Sequence, residues 1–423
     1  MQSNCGRDLA EKVMQRLEQL GRITDEPGRL TRTFLSPAMR RAMDQTACWM
    51  RDLGMTVRQD NIGNVIGRLP AKSPDAPVLL LGSHLDTVPN AGKFDGALGV
   101  VLSLASVQKL AERGEPLPFH LDVIGFSEEE GVRYGVPYIG SRVIAGTFDE
   151  GQLLLRDSRG ISVSDAIREF GRNPASLDGD RYSPSSLIAY CEVHIEQGPV
   201  LEANACPVGV VTAIVGQTRA RIAFHGSAAH AGTVPMHMRR DALCGAAEFI
   251  LFVESHAREQ KDLVATVGTA EISPGVSNVI PERTVLTLDV RHPADSMRRR
   301  VCRDYHEKAL AVARSRNLNA SWQAISDNDS IACSAELVSL LSKSCERVSE
   351  PFMLLPSGAG HDAVSMAEIT EVAMLFVRCR GGISHHPDEW ASVDDIAAAI
   401  SVMDEFIRLV AAREFRNNDG RAN

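Results

Sequence analysis

Four short stretches of this 423-residue sequence carry groups that could do chemistry together. In "GSHLDTVPNAGKFDGALG" (82–99), His84 and Asp86 stand two residues apart. On an extended strand that spacing puts both on one face, where the carboxylate can orient the imidazole while the imidazole binds a metal. Asp95 follows in a glycine-flanked loop able to return its carboxylate toward the same strand end. "FSEEEG" (126–131) presses Glu128, Glu129 and Glu130 together. Neighbouring carboxylates repel, so one of them must be protonated, solvated or neutralised by a cation. "HIEQG" (194–198) sets His194 and Glu196 on alternate positions with Gln197 beside them, a polar run that is costly to bury without partners. "GGISHHPDEW" (381–390) offers His385 or His386, of which a loop can aim one inward. Imidazoles mixed with carboxylates and no thiolates suit Zn²⁺ first, with Mn²⁺, Co²⁺ and Ni²⁺ admitted by ligand type. Such a ligand set is too large for one tetrahedral zinc. Two metals roughly 3.5 Å apart, sharing a carboxylate and a bridging water, would use it whole. A pair of this kind lowers the pKa of water and polarises a carbonyl, the two needs of amide hydrolysis, and a free carboxylate nearby would serve as general base.

Elements must bring these stretches together. Residues about 7–54 show a helical return of apolar positions, with Gly54 as the stop. "VIGRL", "APVLLLGSHLDT" and "FHLDVIGFSEEE" predict strands, the last two apolar enough to be buried on both faces. Between them "GALGVVLSLASVQKLAERG" predicts a helix closed by glycine, hence a right-handed βαβ unit in a parallel sheet. Ligands in such sheets bind beyond the carboxyl ends of the strands, where "SHLDT" and "SEEEG" both fall. From about 216 the order changes to strand, helix, strand, strand, helix, strand, the split pattern of a small two-layer α/β domain. "VAMLFV" and a long final helix then resume the first grammar. The expectation is an α/β protein with one domain formed by 1–214 and 331–423, and an inserted βαββαβ domain at 215–330.

Composition narrows the class. The chain is too long for one ordinary core, and 44% hydrophobic with 23% charged residues is a soluble globular balance. No run approaches the roughly 18–20 apolar residues of a membrane span, and "MQSNCGRDLAEK" lacks the apolar core of a signal peptide, so a cytoplasmic protein is expected. Nine cysteines are scattered singly from Cys5 to Cys379 with no C-x-x-C pair, which predicts buried free thiols and neither a disulfide framework nor a thiolate metal site. A net charge of −9 and a pI near 5.8 argue against a nucleic-acid partner. "RRR" at 298–300 sits in a helical pattern and is expected on its solvated face.

Taken in order, "HLDTV…GKFDGALG", "EEEGVRYG", "HIEQGPVLE", "AHAGTVPM" with "RRDAL", "SNVIP" with "LDVR", "SGAGHDA" and "GGISHHPDE" resemble the amidase family of N-carbamoyl-L-amino-acid hydrolases, β-ureidopropionases and allantoate amidohydrolases. These are relatives of the di-zinc aminopeptidases and aminoacylases, and the resemblance runs from about residue 10 to 415. It implies a mixed-sheet, aminopeptidase-like di-metal catalytic domain, with the inserted domain as lid and homodimerisation surface. It implies that His84 and His194 each hold one metal, that Asp95 bridges, that Glu130 joins the first metal and His385 the second, and that Glu129 is the base, which leaves Glu128 as the solvated member of the run. Asp86 would orient His84, and His230 would reach the partner subunit's active site to steady the oxyanion. Asn278 and Arg291 would hold a substrate carboxylate, an assignment that suits the forked guanidinium, with Gln197 and Gln217 at the polar end. The substrate implied is a small ureide carrying a carboxylate, such as an N-carbamoyl-L-amino acid or allantoate, cleaved at its C–N bond with release of ammonia and carbon dioxide. A dipeptidase or aminoacylase on the same scaffold is the alternative. Ala91, Tyr134 and His386 depart from the family's usual residues and are expected to tune the substrate without removing a ligand.

Overall fold

The computed structural model describes residues 2–114 and 116–421, and side chains within 6–414 apart from residue 115; the side chain of Cys5 lies outside the described residues. The chain forms two compact units, Met1–Thr212 with Cys333–Asn423, and Ala213–Ala332. The larger is built on a mixed sheet of β1 (Thr56–Gln59), β2 (Val65–Leu69), β3 (Val78–His84), β4 (His120–Phe126), β5 (Leu187–Ile195) and β6 (Val208–Ile214). After the four strands of the smaller unit, β7 (Gly216–His225), β8 (Val264–Ser273), β9 (Arg283–His292) and β10 (Asn319–Asn328), come β11 (Ile331–Ala332), β12 (Phe352–Ser357) and β13 (Val372–Val377). The spatial order is β1-β2-β4-β3-β5-β13-β6-β11, with β12 paired to β6. β3 lies parallel to both β4 and β5, and β5 parallel to β13. The outer pairs are antiparallel. Every residue of β3, β4 and β13 is buried, as continuous Val, Leu and Ile runs require when both faces of a sheet are covered.

The crossover from β3 to β4 is the helix Ala97–Arg113, buried along most of its length and ended by Gly114 in the left-handed region. Where one helical stretch is expected over 7–54 there are two, Gln2–Gly21 and Pro37–Asp52. Ser36 starts the second: its hydroxyl accepts the Met39 N–H, and Pro37 occupies the first turn. Arg32, in the intervening segment, is buried and donates from Nε to the Leu85 carbonyl at 2.5 Å and from Nη1 to the carbonyls of Leu20 at 2.9 Å and Ile23 at 3.1 Å. That guanidinium pins the backbone between His84 and Asp86, and helical geometry through residue 32 would forbid it.

In the smaller unit β7 (Gly216–His225), β8 (Val264–Ser273), β9 (Arg283–His292) and β10 (Asn319–Asn328) form an antiparallel sheet in the order β10-β7-β9-β8. The helices Ala242–Glu259 and Asp295–Ser315 pack on it through Phe224, Phe249, Leu286, Leu288 and Tyr305. Here one expectation fails in part, for Arg299 and Arg300 are exposed as expected but their neighbour is not. Arg298 of the "RRR" run is fully buried, held by Asp295 at 3.0 Å, by Asp329 at 3.2 Å, and by Asp327 and Thr218. Local pattern cannot reveal acceptors that arrive from residues 218, 327 and 329. The thiols also divide: Cys191, Cys206, Cys333, Cys345 and Cys379 are buried, whereas Cys48 and Cys244 are exposed and Cys302 is half-buried. No helix among the described residues is long and apolar enough to cross a membrane.

Candidate active site

The carboxyl ends of β3, β4 and β5 and the loop after β13 converge on Asp95. His84 closes β3, and its Nδ1 donates to the Asp86 carbonyl oxygen at 3.1 Å. His194 lies one residue from the end of β5, and its Nδ1 donates to the Ile195 carbonyl at 2.9 Å. Both rings are thereby turned so that Nε2 faces inward, the two Nε2 atoms 3.5 Å apart. Asp95 meets them through the loop that starts the crossover helix. Gly96 has φ +63 there, and a Cβ on it would stand 2.5 Å from the His84 ring, so only glycine lets the backbone pass so close. Asp95 Oδ1 stands 3.1 Å from His194 Nε2 and 3.5 Å from His84 Nε2, while Oδ2 stands 3.2 Å from His385 Nε2. His385 Nε2 is in turn 3.4 Å from Glu130 Oε1. The donor atoms gather as His84–Asp95–His194, Asp95–Glu130–His385 and His84–Glu129–Glu130, each group within 4.8 Å.

Glu130 reaches both sides, gathering with His84 and Glu129 as well as with Asp95 and His385. His84 and His194 share one oxygen of Asp95, and Glu130 sits with His385 at the other. His386 does not join them: its Nδ1 accepts the Asp388 N–H and its side chain is exposed.

Asp86 explains the turn in "FSEEEG". β4 ends at Phe126, and the carboxylate of Asp86 accepts two successive backbone N–H groups, Glu129 at 3.0 Å and Glu130 at 3.1 Å. The chain must curl to present both. Glu128 then turns into the protein. It is buried, and its Oε1 accepts the Gly131 N–H at 2.6 Å, which overturns the expectation that it is the solvated member of the run. Burial, reinforced by Asp86, holds its carboxyl well above the usual range. Burial does the same to Glu129, opposed by His84 and aided by Glu130. Asp95 is lowered despite its burial, because His194, His385 and His84 all face it. Conversely His84 and His194 are raised against the effect of burial, by Asp86 and Asp95 at His84 and by Asp95 at His194, and His385 is raised to about 10 by Asp95 and Glu130. Imidazoles and carboxylates thus favour opposite charge in one another, in the position a divalent cation would take. Three imidazoles, three carboxylates, inward Nε2 atoms and the orphaned, buried Oε1 of Gln197 fit such cations.

Gln197, at φ +56, donates from Nε2 to Asp95 Oδ2 at 2.9 Å. Sequence reasoning missed three supports. Glu389 accepts the N–H groups of Phe94 and Asp95. Glu192, two residues before His194 on β5, accepts the Ser83 hydroxyl at 2.8 Å and the Ala363 N–H at 3.0 Å. The ring of His361 packs edge-on against His194 at 4.6 Å, and its Nε2 is 2.7 Å from the Ser357 hydroxyl. The even spacing of Glu192 and His194 on a strand was the one available signal. Ala91 is buried with its N–H on the Leu30 carbonyl, and Tyr134 packs against Phe34 with its hydroxyl on the Ser162 carbonyl.

The remaining predicted residues belong to the smaller unit. His230 is exposed, on a segment bridged to that of Asn278 by the Ala231 N–H to Asn278 carbonyl bond of 2.9 Å. Gln217 and Arg291 are register partners on β7 and β9, and both donate to Asp289, Gln217 from Nε2 at 2.9 Å and Arg291 from Nε at 2.9 Å. Asp289 orients both, and its D-x-R spacing on a strand was legible.

Comparison with known proteins agrees in extent. Residues 80–409 match peptidase family M20/M25/M40. The chain is 40% identical to an allantoate deiminase of Arabidopsis thaliana over 94% of this chain and 82% of that one. It is 39% identical to an N-carbamoyl-L-amino acid amidohydrolase of Geobacillus stearothermophilus over 93% and 96%. A crystal structure of an amidase of the hydantoinase/carbamoylase family from Burkholderia multivorans superposes with a TM-score of 0.89 at 32% identity, covering 95% of this chain and 98% of that one.

Proposed function

The chain belongs to peptidase family M20/M25/M40 and is a hydrolase of carbon–nitrogen bonds other than peptide bonds, and from that premise we propose that it cleaves a linear ureido group. The substrate is an N-carbamoyl-L-amino acid or allantoate, and one water converts the ureide to the free amine, ammonia and carbon dioxide. The observation that carries this reading is Asp95, whose two oxygens face separate sets of imidazoles, Oδ1 toward His84 and His194 and Oδ2 toward His385. A carboxylate so placed suits a bridge between two cations, one held by His84, Asp95 and His194 and the other by Asp95, Glu130 and His385. Two divalent cations, Zn²⁺ first and Mn²⁺, Co²⁺ or Ni²⁺ as alternatives, would supply Lewis acidity toward the ureido carbonyl and a lowered water pKa.

Glu129 removes a proton from the attacking water and returns it to the departing nitrogen, and a carboxyl raised by burial is suited to both transfers. Asp86 aims Glu129 and Glu130 through their backbone N–H groups and stands 3.4 Å from His84 Nδ1. Arg291, braced by Asp289, forks onto the substrate carboxylate together with Asn278, while Gln197 and Gln217 meet the polar end. The smaller unit serves as lid and as the surface of a homodimer, in which His230 acts in the partner's site. The open edge of β8, with Val264 58% and Ile272 41% exposed, supports that role. Free thiols throughout the described cysteines support a reducing, cytoplasmic setting.

The decisive experiment supplies purified protein with Zn²⁺ or Mn²⁺ and measures ammonia across N-carbamoyl amino acids, allantoate, dipeptides and N-acyl amino acids. Ammonia from ureides is expected. Turnover of dipeptides or N-acyl amino acids alone would establish the alternative chemistry.

A further inference from the structure

The ligands of the site are supported unequally. His84 and His194 lie at the ends of buried strands and are almost wholly shielded. His385 sits on a loop whose backbone is left-handed at Gly381, Gly382 and His385 itself, with φ of +64, +66 and +56, and its side chain is 49% exposed. A non-glycine residue is uncommon in that region, and its surroundings help to hold it there. The surroundings are Glu389. Its Oε1 accepts the backbone N–H of Phe94 at 2.8 Å and of Asp95 at 2.9 Å, and its Oε2 accepts the Ser384 hydroxyl at 3.2 Å. The same hydroxyl lies 2.7 Å from Asp95 Oδ2. The Glu389 N–H returns to the His386 carbonyl at 3.0 Å, closing the loop on itself. Beside it Trp390 packs edge-on against Phe94 at 5.6 Å. One buried carboxylate therefore ties the Asp95 loop to the His385 loop across almost 300 residues of sequence.

Glycine at position 92 makes room for it. A Cβ there would lie 2.4 Å from both Cβ and Oε1 of Glu389. Setting a second carboxylate this close to Asp95 is electrostatically unfavourable; what it provides is two hydrogen bonds to the Asp95 loop and one within the His385 loop.

We infer that Glu389 is a positioning residue for the Asp95–Glu130–His385 half of the site, holding His385 against Asp95 without touching the substrate. The inference rests on the two-cation reading above. Glu389→Ala frees the loop that carries His385, while His84 and His194 keep their strand-borne geometry. One cation should then weaken by about 10-fold or more, the scale typical of lost outer-shell support, and the other by less, because it shares the loosened Asp95 but keeps His84 and His194.

The test is Zn²⁺ binding to the full-length protein by chelator competition and calorimetry, with metal content counted after desalting. Wild type should hold two Zn²⁺ per chain, and Glu389→Ala one tightly and one weakly. Glu389→Gln should restore the second, because its amide oxygen can still accept both loop N–H groups. Gly92→Ala, which crowds the same carboxylate from the opposite side, should reproduce the selective loss should Glu389→Ala not fold. Two equally tight Zn²⁺ in Glu389→Ala, or equal weakening of both, would overturn the assignment. Wild type that binds no Zn²⁺ would overturn the two-cation reading, and this assignment with it, so the two failures are distinguishable.

Discussion

Replacing Asp86 by asparagine changes one atom and removes one acceptor. In the native protein its two oxygens serve the N–H groups of Glu129 and Glu130 at 3.0 and 3.1 Å, and Oδ1 also lies 3.4 Å from His84 Nδ1. Asparagine has a single acceptor oxygen, so its NH₂ must face one of those N–H groups and leave it buried and unpaired. Such a loss costs about 1–3 kcal/mol. At about 1.4 kcal/mol per decade this is roughly a 5- to 150-fold effect, which brackets the ~10–100-fold losses usual when support behind a metal ligand is removed. The expected result for Asp86→Asn is a melting free energy lower by about 1–3 kcal/mol, with Zn²⁺ affinity and kcat/KM each reduced on the order of 10- to 100-fold. Asp86→Ala, which strands both N–H groups, should lose more on each measure. Chelator competition, denaturant unfolding and steady-state ammonia release read the three quantities. An Asp86→Asn protein that binds Zn²⁺ within twofold of wild type and turns over normally would refute the claim that this carboxylate shapes the Glu129–Glu130 turn.

Glu129→Gln should retain both cations by metal analysis and lose kcat by about 10²- to 10⁴-fold, whereas Glu130→Gln should release one cation; full activity in the first would sink the base assignment. His385 is raised to about 10 and is therefore protonated in the cation-free protein at pH 7, while His84 and His194 are raised in the same direction. Cation binding must displace the His385 proton, so affinity should climb with pH toward about 10, and calorimetric heats should differ between buffers of different ionisation enthalpy; identical heats would contradict this. By the same sign, the stability His385 gives the cation-free protein is complete below its unfolded pKa of about 6.5 and is lost as pH rises through about 10, which urea unfolding at pH 7 and 10 would register. Glu128→Gln keeps an acceptor for the Gly131 N–H and should shift stability by less than about 1 kcal/mol, whereas Glu128→Ala should cost about 2–4 kcal/mol through the cavity and the unpaired N–H. Equal melting temperatures for the two would count against the buried placement of Glu128.

What the sequence could disclose follows the range of each interaction. Apolar density in β3 and β4, the glycine closing the helix between them and the two-residue spacing of His84 and Asp86 are local signals, and the structure keeps all of them. Spacing also placed the inward ligands at the strand ends. It failed where partners come from afar. Glu128 was indistinguishable from its neighbours until Asp86 claimed the two N–H groups that follow it. Arg298 read as one more surface charge because its acceptors lie on other elements. Glu389, at the end of a recognised motif, had no visible task until the Phe94–Asp95 backbone arrived above it.

The clamp made by Arg32 bears on how the chain can be shortened. Its guanidinium gathers the carbonyls at the end of the first helix and the carbonyl of Leu85 into one buried knot. A version trimmed to begin after Gly21 would remove Leu20 while keeping the cation, leaving a positive charge in the interior with fewer oxygens around it. The segment from Gln2 to Gly21 is therefore no detachable leader to the catalytic fold, and attempts to make a minimal enzyme should cut elsewhere.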